Sequence, residues 1–158
     1  MNTLAWAMGM DVGRMKLLPG TYHCLSVYQP WSWAIFNAKK GIENRMWPVR
    51  YRGKLLIHAS KTTRDVEGVR KLLSTDMHIE VPPIEQLAFG AILGLVEIYG
   101  CTWSSVKSPC GWGAPDCYHW HLRNQMLLDT PIPYKGAQGI FKVVIGDAPP
   151  QDQQSTFL

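Results

Sequence analysis

The sequence predicts a small α+β domain, a mixed β-barrel of about five to seven strands with two main helices. Short β-type segments bounded by turn residues alternate with two segments of helical periodicity. The long apolar segment 89–103 contains three glycines, which allow the bends that barrel strands need. The chain has 158 residues, 46% of them hydrophobic, which is enough for one core and short for two domains.

The first half of the chain predicts the order strand, helix, strand, strand. Residues 22–28 are typical of a strand that stops before Pro30, and proline suits the first turn of a helix. One apolar stripe at helical spacing extends this helix to between Lys39 and Gly41; it consists of Trp31, Ala34, Ile35 and Ala38. Residues 42–47 and 54–59 predict two strands separated by a turn.

The second half predicts one helix and three strands. Thr62 and Asp65 resemble a capping box, followed by apolar positions at helical spacing, an acidic first turn and a basic last turn. Residues 76–87 and 104–116 predict loops on either side of the long strand 89–103. Residues 118–123 and 139–145 are expected to be the closing strands, joined across a segment rich in proline and glycine.

Residues 21–146 are therefore expected to form the domain, between an extension (1–20) and a polar tail (147–158). No basic residue precedes the apolar segment 4–10, which is unlike a signal peptide. The longest apolar run, 89–96, has eight residues, whereas a membrane span needs about twenty. We expect a cytoplasmic protein without membrane contact.

The four cysteines are expected to be reduced, because the chain is large enough for a core and shows no secretory signal. Cys110, Cys117, His119 and His121 lie close in sequence, but their spacing is not a known zinc pattern. A loop and strand without metal is the favoured interpretation, although the two histidines share a strand face and leave zinc open. The sequence predicts no metal and no cofactor.

Basic charge is concentrated in residues 39–71. This segment has ten basic and three acidic residues and carries +7, whereas the rest of the chain carries −3. Trp31 and Trp33 precede it, and it contains Trp47 and Tyr51. Cations that contact phosphates, interleaved with rings that stack on bases, favour binding of RNA or other single-stranded nucleic acid. The alternative is a solvated basic face with the tryptophans in the core.

Several segments in the same order resemble the ASCH domain family. They are 25–31 (LSVYQPW), 38–45 (AKKGIENR) and 52–60 (RGKLLIHAS), followed by 90–97, 118–122 and 131–139. The family signature, Gly-x-Lys-x-x-Glu-x-Arg, is matched at Lys40, Glu43 and Arg45, with Ala38 in place of the glycine. The resemblance covers residues 22–146.

This resemblance implies a PUA-like barrel that holds RNA or a modified nucleoside in a cleft lined by Lys40, Glu43 and Arg45. Some family members are amidohydrolases that remove the acetyl group of 4-acetylcytidine, and others are credited with ribonuclease activity. In the amidohydrolase branch a threonine nucleophile stands where this chain has Glu43, so the same mechanism is not expected here. If the chain is an enzyme, Glu43 would activate water and Lys40 would stabilise the negative charge that develops.

The positions and hydrogen-bonding groups of the signature residues are also those that a binding site needs. Glu43 and Arg45 are two residues apart in a strand and share a face, close to Lys40. The carboxylate can accept a hydrogen bond from the exocyclic amine of a base, while Arg45 contacts phosphate or a carbonyl. The alternative is a structural ion pair at the rim of the barrel.

Further binding residues are expected around the signature. Gln29 would read a base edge or stabilise the turn, and Trp31 is expected to pack in the core more than it stacks on a base. Trp47 is the better stacking candidate. Ser60 and Lys61 follow a buried strand, and Tyr118, rather than His119, is expected to face the cleft. Trp112 is a candidate lid.

We therefore expect binding of RNA, single-stranded nucleic acid or a modified nucleoside. The alternatives are a hydrolase acting on that ligand and a protein-interaction module. A salt titration separates the protein-interaction module from the nucleic-acid-binding protein, because phosphate contacts make affinity for nucleic acid fall steeply with salt.

Overall fold

The computed structural model describes residues 14–146. It contains six strands, two helices and one turn of 3₁₀ helix. Their bounds are β1 (Gly20–Val27), α1 (Trp31–Asn37), β2 (Ile42–Arg45), β3 (Gly53–Ala59), α2 (Val66–Met77), the 3₁₀ turn (Ile84–Gln86), β4 (Ala91–Ser104), β5 (Cys117–Pro133) and β6 (Ile140–Ile145). The predicted tail and most of the predicted extension lie outside the described residues.

The six strands form one mixed sheet in the order β2-β5-β4-β3-β1-β6. β1 pairs with β3 in parallel, and every other neighbouring pair is antiparallel. This confirms the predicted α+β class, the strand number and the two helices. Within the described residues, β2 and β6 are the two edges of the sheet, so the sheet does not close on itself.

The core lies mainly between the sheet and α1. Ile35 and Phe36 of the helix pack with Leu25, Ile57 and Trp120 of the strands, all of them buried. Full burial of such side chains contributes about 1.5–3 kcal/mol each, which holds α1 and the strands in place. A second cluster, which includes Val66, Leu73 and Trp112, fixes α2 beside α1.

The second helix differs from its prediction at both ends. Asp65 precedes it in a left-handed conformation (φ 58°) and no side chain caps the helix, so the capping box is wrong. The helix continues to Met77, which leaves Arg70 and Lys71 in its middle and no basic residue in its last turn. The first helix ends at Asn37, before the predicted boundary.

The fifth strand is much longer than predicted, since it runs to Pro133. The prolines at 131 and 133 suggested a connection, but β2 pairs only with residues 118–121 of this strand. β2 therefore leaves the far end of β5 uncovered, and beyond the isolated bridge between Met15 and Leu128 a proline removes no hydrogen bond to β2. The other side of β5 pairs with β4 as far as Ala91 and Pro133.

Part of the predicted extension packs on the sheet. The amide of Met15 donates to the carbonyl of Leu127 at 2.9 Å, and the amide of Asp129 donates to the carbonyl of Met15 at 2.9 Å. Met15 and Leu17 lie against the cluster of buried residues that includes Leu56. Neither described helix has the length and apolar character that crossing a membrane requires.

Candidate functional site

A cleft of about 1430 Å³ opens beside α1, α2 and the edge strand β2. The ends of β1 and β3, residues 60–61, segment 135–139 and the loop between β4 and β5 also contribute to its lining. Seven of the predicted site residues line this cleft, although they come from three separate parts of the chain: Trp31, Lys40, Glu43, Arg45, Trp47, Ser60 and Lys61. Gln29 and Tyr118 are outside the lining.

The signature residues form a buried ion triad. Lys40, 2% exposed, donates through Nζ to Glu43 Oε2 at 3.1 Å and to the carbonyl of Ile42. Arg45 Nε lies 3.4 Å from Glu43 Oε1, and Arg45 Nη2 donates to the carbonyl of Ser26 at 2.8 Å. One carboxylate is thus held between two cations, and the triad carries a net charge of +1 next to the cleft.

Local backbone geometry sets this triad in place. Lys39, two residues after the end of α1, adopts a left-handed conformation (φ 52°), and this turn leaves Lys39 exposed and Lys40 buried. Glu43 and Arg45 occupy every second position of β2, opposite Trp120 and Tyr118 of β5, respectively. Because side chains two apart in a strand share a face, the carboxylate and the guanidinium meet.

Tryptophan rings accompany both cations. The Trp47 ring is 45% exposed and packs edge-on against Trp120, with ring centroids 6.2 Å apart. Arg45 Cζ lies 5.4 Å from the centroid of Trp47, and Lys40 Nζ lies 5.8 Å from that of Trp31. Trp47 is therefore anchored along one side, yet keeps almost half of its surface available to a ligand.

The rim of the cleft combines exposed lysines with exposed apolar side chains. Lys61, Lys107 and Lys135 are exposed and form no ion pair among the described residues. Tyr28, Met46 and Leu72 are large exposed hydrophobic residues of the same lining. Sequence reasoning missed Lys107 and Lys135, which are isolated charges in segments rich in glycine and proline.

The basic segment 39–71 does not lie on one surface. Lys40, Arg45 and Lys61 line the cleft, whereas Arg70 pairs with Glu67 at 2.7 Å. Arg52 donates to the carbonyls of Val49 and Tyr51, away from the cleft. The +7 charge of this segment is therefore distributed over more than one face of the domain.

Gln29 and Tyr118 make structural contacts instead of lining the cleft. The Gln29 side chain donates to the carbonyl of Ala88 at 2.9 Å and accepts from the amide of Trp33 at 3.0 Å. This matches the turn-stabilising alternative, because the amide group is already engaged at both ends. The Tyr118 ring packs against Trp103, with ring centroids 5.1 Å apart.

The loop between β4 and β5 is fastened to β2. Asn44 Nδ2 donates to the carbonyl of Trp112 at 2.9 Å, and Asn44 Oδ1 accepts from the amide of Ala114 at 2.9 Å. His119 Nε2 donates to the carbonyl of Ala114 at 2.6 Å. Trp112 is 8% exposed and packs beneath α2, so it is a fixed part of the cleft and not the lid predicted from the sequence.

Sequence reasoning assigned no role to a second polar group in the cleft, Ser26 and His58. These residues are partners in the parallel β1–β3 pairing, with Ser26 Oγ 2.9 Å from His58 Nδ1. His58 Nε2 lies 2.7 Å from the carbonyl oxygen of Tyr134. His58 belongs to the segment 52–60, but a pairing across 32 residues leaves no signal in sequence spacing.

The possible zinc ligands bind protein atoms, and among the described residues they do not gather into one cluster. Cys117 Sγ lies 3.4 Å from the carbonyl of Ala114, and His121 Nε2 lies 2.8 Å from Thr102 Oγ1. Burial lowers the pKa of His121, with smaller contributions from His119 and Arg52. In the part of the chain from 14 to 146, no three histidine, cysteine or acidic side chains are close enough together to hold a metal ion.

A six-stranded mixed sheet with two helices defines a small domain of the α+β class, and its cleft of buried charges and tryptophan is the candidate site. The family model described as ASCH domain matches residues 25–144. The chain therefore belongs to the ASCH domain family, which is PUA-like and related to RNA binding.

Two curated relatives also match. The chain is 31% identical over 81 residues to the human protein "Activating signal cointegrator 1" and 30% identical over 81 residues to its mouse counterpart. Each match covers 49% of this chain and 14% of the relative. The similarity thus concerns a small part of much longer proteins.

Proposed function

We propose that this chain binds single-stranded RNA and holds one base, modified or unmodified, in the cleft beside Lys40, Glu43 and Arg45. One observation carries the proposal: the same cleft combines a buried ion triad, a half-exposed tryptophan and a lysine rim. A base needs hydrogen-bonding groups and a flat apolar surface, and its phosphates need cations.

Glu43 and Arg45 are the groups that would read the base edge. Each carboxylate oxygen of Glu43 has one cationic neighbour, and a carboxylate offers about four acceptor positions in all. An exocyclic amine can therefore donate to Glu43 without displacing Lys40 or Arg45. Trp47, on the same side of the cleft as Arg45, would stack on the base.

The lysine rim would contact the phosphates on either side of that base. The cleft, at about 1430 Å³, exceeds the roughly 300–1,000 Å³ of ordinary small-molecule sites. It has room for more than one nucleoside, which favours a short strand over a free nucleoside. Lys61, Lys107 and Lys135 belong to three different segments and surround the opening.

Fluorescence anisotropy with labelled single-stranded RNA tests this proposal. We expect Lys61→Glu with Lys135→Glu to weaken binding by about tenfold or more and to reduce the salt slope by about 2. The control is Lys54→Glu with Lys71→Glu, which changes the same charge at exposed positions outside the cleft and should leave most of the affinity. Equal losses in the two double variants would contradict binding in this cleft.

Hydrolysis of the ligand with Glu43 as general base has less support. Both carboxylate oxygens already face a cation, at 3.1 and 3.4 Å. Accepting a hydrogen bond from a ligand asks nothing more of this arrangement, whereas hydrolysis would also require a water molecule positioned between Glu43 and the reacting carbon. Binding is therefore the function that the geometry supports best.

A further inference from the structure

Ser26 and His58 form a polar pair within the cleft that the signature triad does not use. They occupy aligned positions on the parallel strands β1 and β3, and their side chains point into the same cleft. Ser26 is partly buried, whereas His58 is 1% exposed. Two buried strands thus fix both side chains, since each residue has core neighbours on either side in sequence.

The carbonyl of Tyr134 sets the tautomer of His58. A carbonyl oxygen accepts but cannot donate, so the 2.7 Å contact requires a proton on His58 Nε2. In the neutral imidazole, Nδ1 then carries the lone pair and accepts from the hydroxyl of Ser26 at 2.9 Å. A hydroxyl, a basic nitrogen and a third group that orients the ring are the parts of an activated serine nucleophile.

Segment 134–139 closes over this pair. A Cβ on Gly136 would lie 2.7 Å from Ser26 Oγ and 2.7 Å from His58 Cε1, closer than a real side chain allows. Glycine therefore lets the backbone approach the hydroxyl directly. Among the described residues, the amides of Gly136, Ala137 and Gln138 donate to no protein acceptor, although all three residues line the cleft. Free amides beside a nucleophile can stabilise an oxyanion.

We propose that Ser26 is a nucleophile activated by His58, and that the cleft hydrolyses short-chain carboxylic esters through an acyl-serine. Ser26 Oγ forms a bond to the carbonyl carbon, and its proton moves to His58 Nδ1. The bond from that carbon to the leaving oxygen breaks, and His58 returns the proton to the departing alcohol. Water then repeats the sequence on the acyl-serine, which releases the acid and restores Ser26. The close approach of Gly136 limits the acyl chain to a short one.

This chemistry is independent of RNA binding, because it uses neither Glu43 nor the lysine rim. A purely structural role would make the Ser26–His58 contact a cross-strand clamp that holds segment 134–139 against the sheet. If the contact is only structural, Ser26 should show no unusual reactivity. Covalent labelling separates the two roles.

The test is treatment of the folded protein with a fluorophosphonate probe, with the modified serine located by peptide mass spectrometry. Ser60 is an internal control: it lines the same cleft, but it has no histidine within hydrogen-bond distance among the described residues. We expect label on Ser26 and none on Ser60, and loss of labelling after heat denaturation. Absence of label on Ser26, or equal label on both serines, would overturn the proposal.

Two further measurements address mechanism. Incubation with p-nitrophenyl acetate should release nitrophenol and add one acetyl group to Ser26, and Ser26→Ala should abolish both. His58→Gln should slow fluorophosphonate labelling about 10²-fold, in the range expected for loss of a general base. If His58→Gln fails to fold, acetylation of Ser26 in the protein without substitutions decides the question. Absence of the acetyl group there contradicts the mechanism. RNA binding by Ser26→Ala, measured by fluorescence anisotropy, tests the RNA-binding proposal independently of the ester-hydrolysis proposal.

Discussion

Glu43 is the residue on which the arrangement of the cleft depends most. It is 7% exposed and keeps two cations, Lys40 and Arg45, in place away from bulk water. Removing one partner of a buried ion pair commonly costs about 3–5 kcal/mol, because the remaining charge stays buried without compensation. The triad is therefore both part of the proposed binding site and a condition for the local fold.

Glu43→Gln should lower the free energy of unfolding by about 3 kcal/mol, measured by urea denaturation. The amide keeps the shape of the carboxylate but leaves Lys40 and Arg45 without a counter-charge. The double variant Lys40→Met, Glu43→Gln removes one of those cations and should recover part of the loss. If Glu43→Gln leaves stability unchanged, the triad is more hydrated than its burial indicates.

Trp47→Ala should weaken RNA binding by about 1–3 kcal/mol, the range for loss of one stacked base. The matched control is Trp103→Ala, because Trp103 is 54% exposed but lies outside the cleft. Anisotropy titrations at one salt concentration measure both variants. Equal effects of the two substitutions would place the RNA elsewhere on the surface.

Among the elements of the fold, the loop between β4 and β5 lines the cleft and carries Cys110, a thiol whose reactivity can be measured. Burial alone would raise the pKa of this thiol, but hydrogen bonds from Ser108 and from the amides of Trp112 and Gly113 outweigh burial and lower it. Burial raises the pKa of Cys24 to about 12 and also raises the pKa of Cys117. The thiolate is the reactive form, so reactivity at neutral pH follows these directions.

We predict that iodoacetamide alkylates Cys110 faster than Cys117, and Cys117 faster than Cys24. Peptide mass spectrometry between pH 7 and 9 measures the three rates. Ser108→Ala should move the Cys110 profile to higher pH, because the thiolate loses a hydrogen bond. Bound RNA should slow Cys110 alkylation, because the neighbouring residues 111–115 line the cleft. Rapid labelling of Cys24 would contradict the burial of β1.

The elements differ in how far the sequence predicts them. Hydrophobic periodicity predicted α1 and the central strands, because local spacing is enough to define them. The bounds of α2 and β5 were wrong because a left-handed residue at 65 and an unpaired strand edge leave no periodic signal. Lys40, Glu43 and Arg45 were predictable as a group because they lie within one turn and one strand. Tertiary structure, which sequence spacing does not encode, brings four further residues to the same cleft: Lys107, Lys135, Ser26 and His58.

For the whole molecule, the strand order determines which parts of the domain open last. β1 has a hydrogen-bonded neighbour on each side, β3 and β6, whereas β2 is a four-residue strand at the edge of the sheet. Central strands open with free energies near that of global unfolding, while edges open more easily.

We predict that hydrogen exchange is slower for the amides of β1 and β3, which have a strand on each side, than for those of the edge strand β2. Bound RNA should slow exchange in β2 more than in β6, because β2 carries Glu43 and Arg45 while β6 contributes no cleft residue. Exchange measured by mass spectrometry with and without RNA gives the comparison. Equal slowing in both edge strands would indicate a general stabilisation without contact at the cleft.

The position of β1 between β3 and β6 has a consequence for synthesis on the ribosome. β1 ends at Val27, but its antiparallel neighbour begins at Ile140. At ordinary translation rates the ribosome needs roughly 6–20 s to make the intervening residues. During that time one edge of β1 is unpaired and segment 134–139 is absent, so the nascent chain has neither a complete sheet nor a complete cleft.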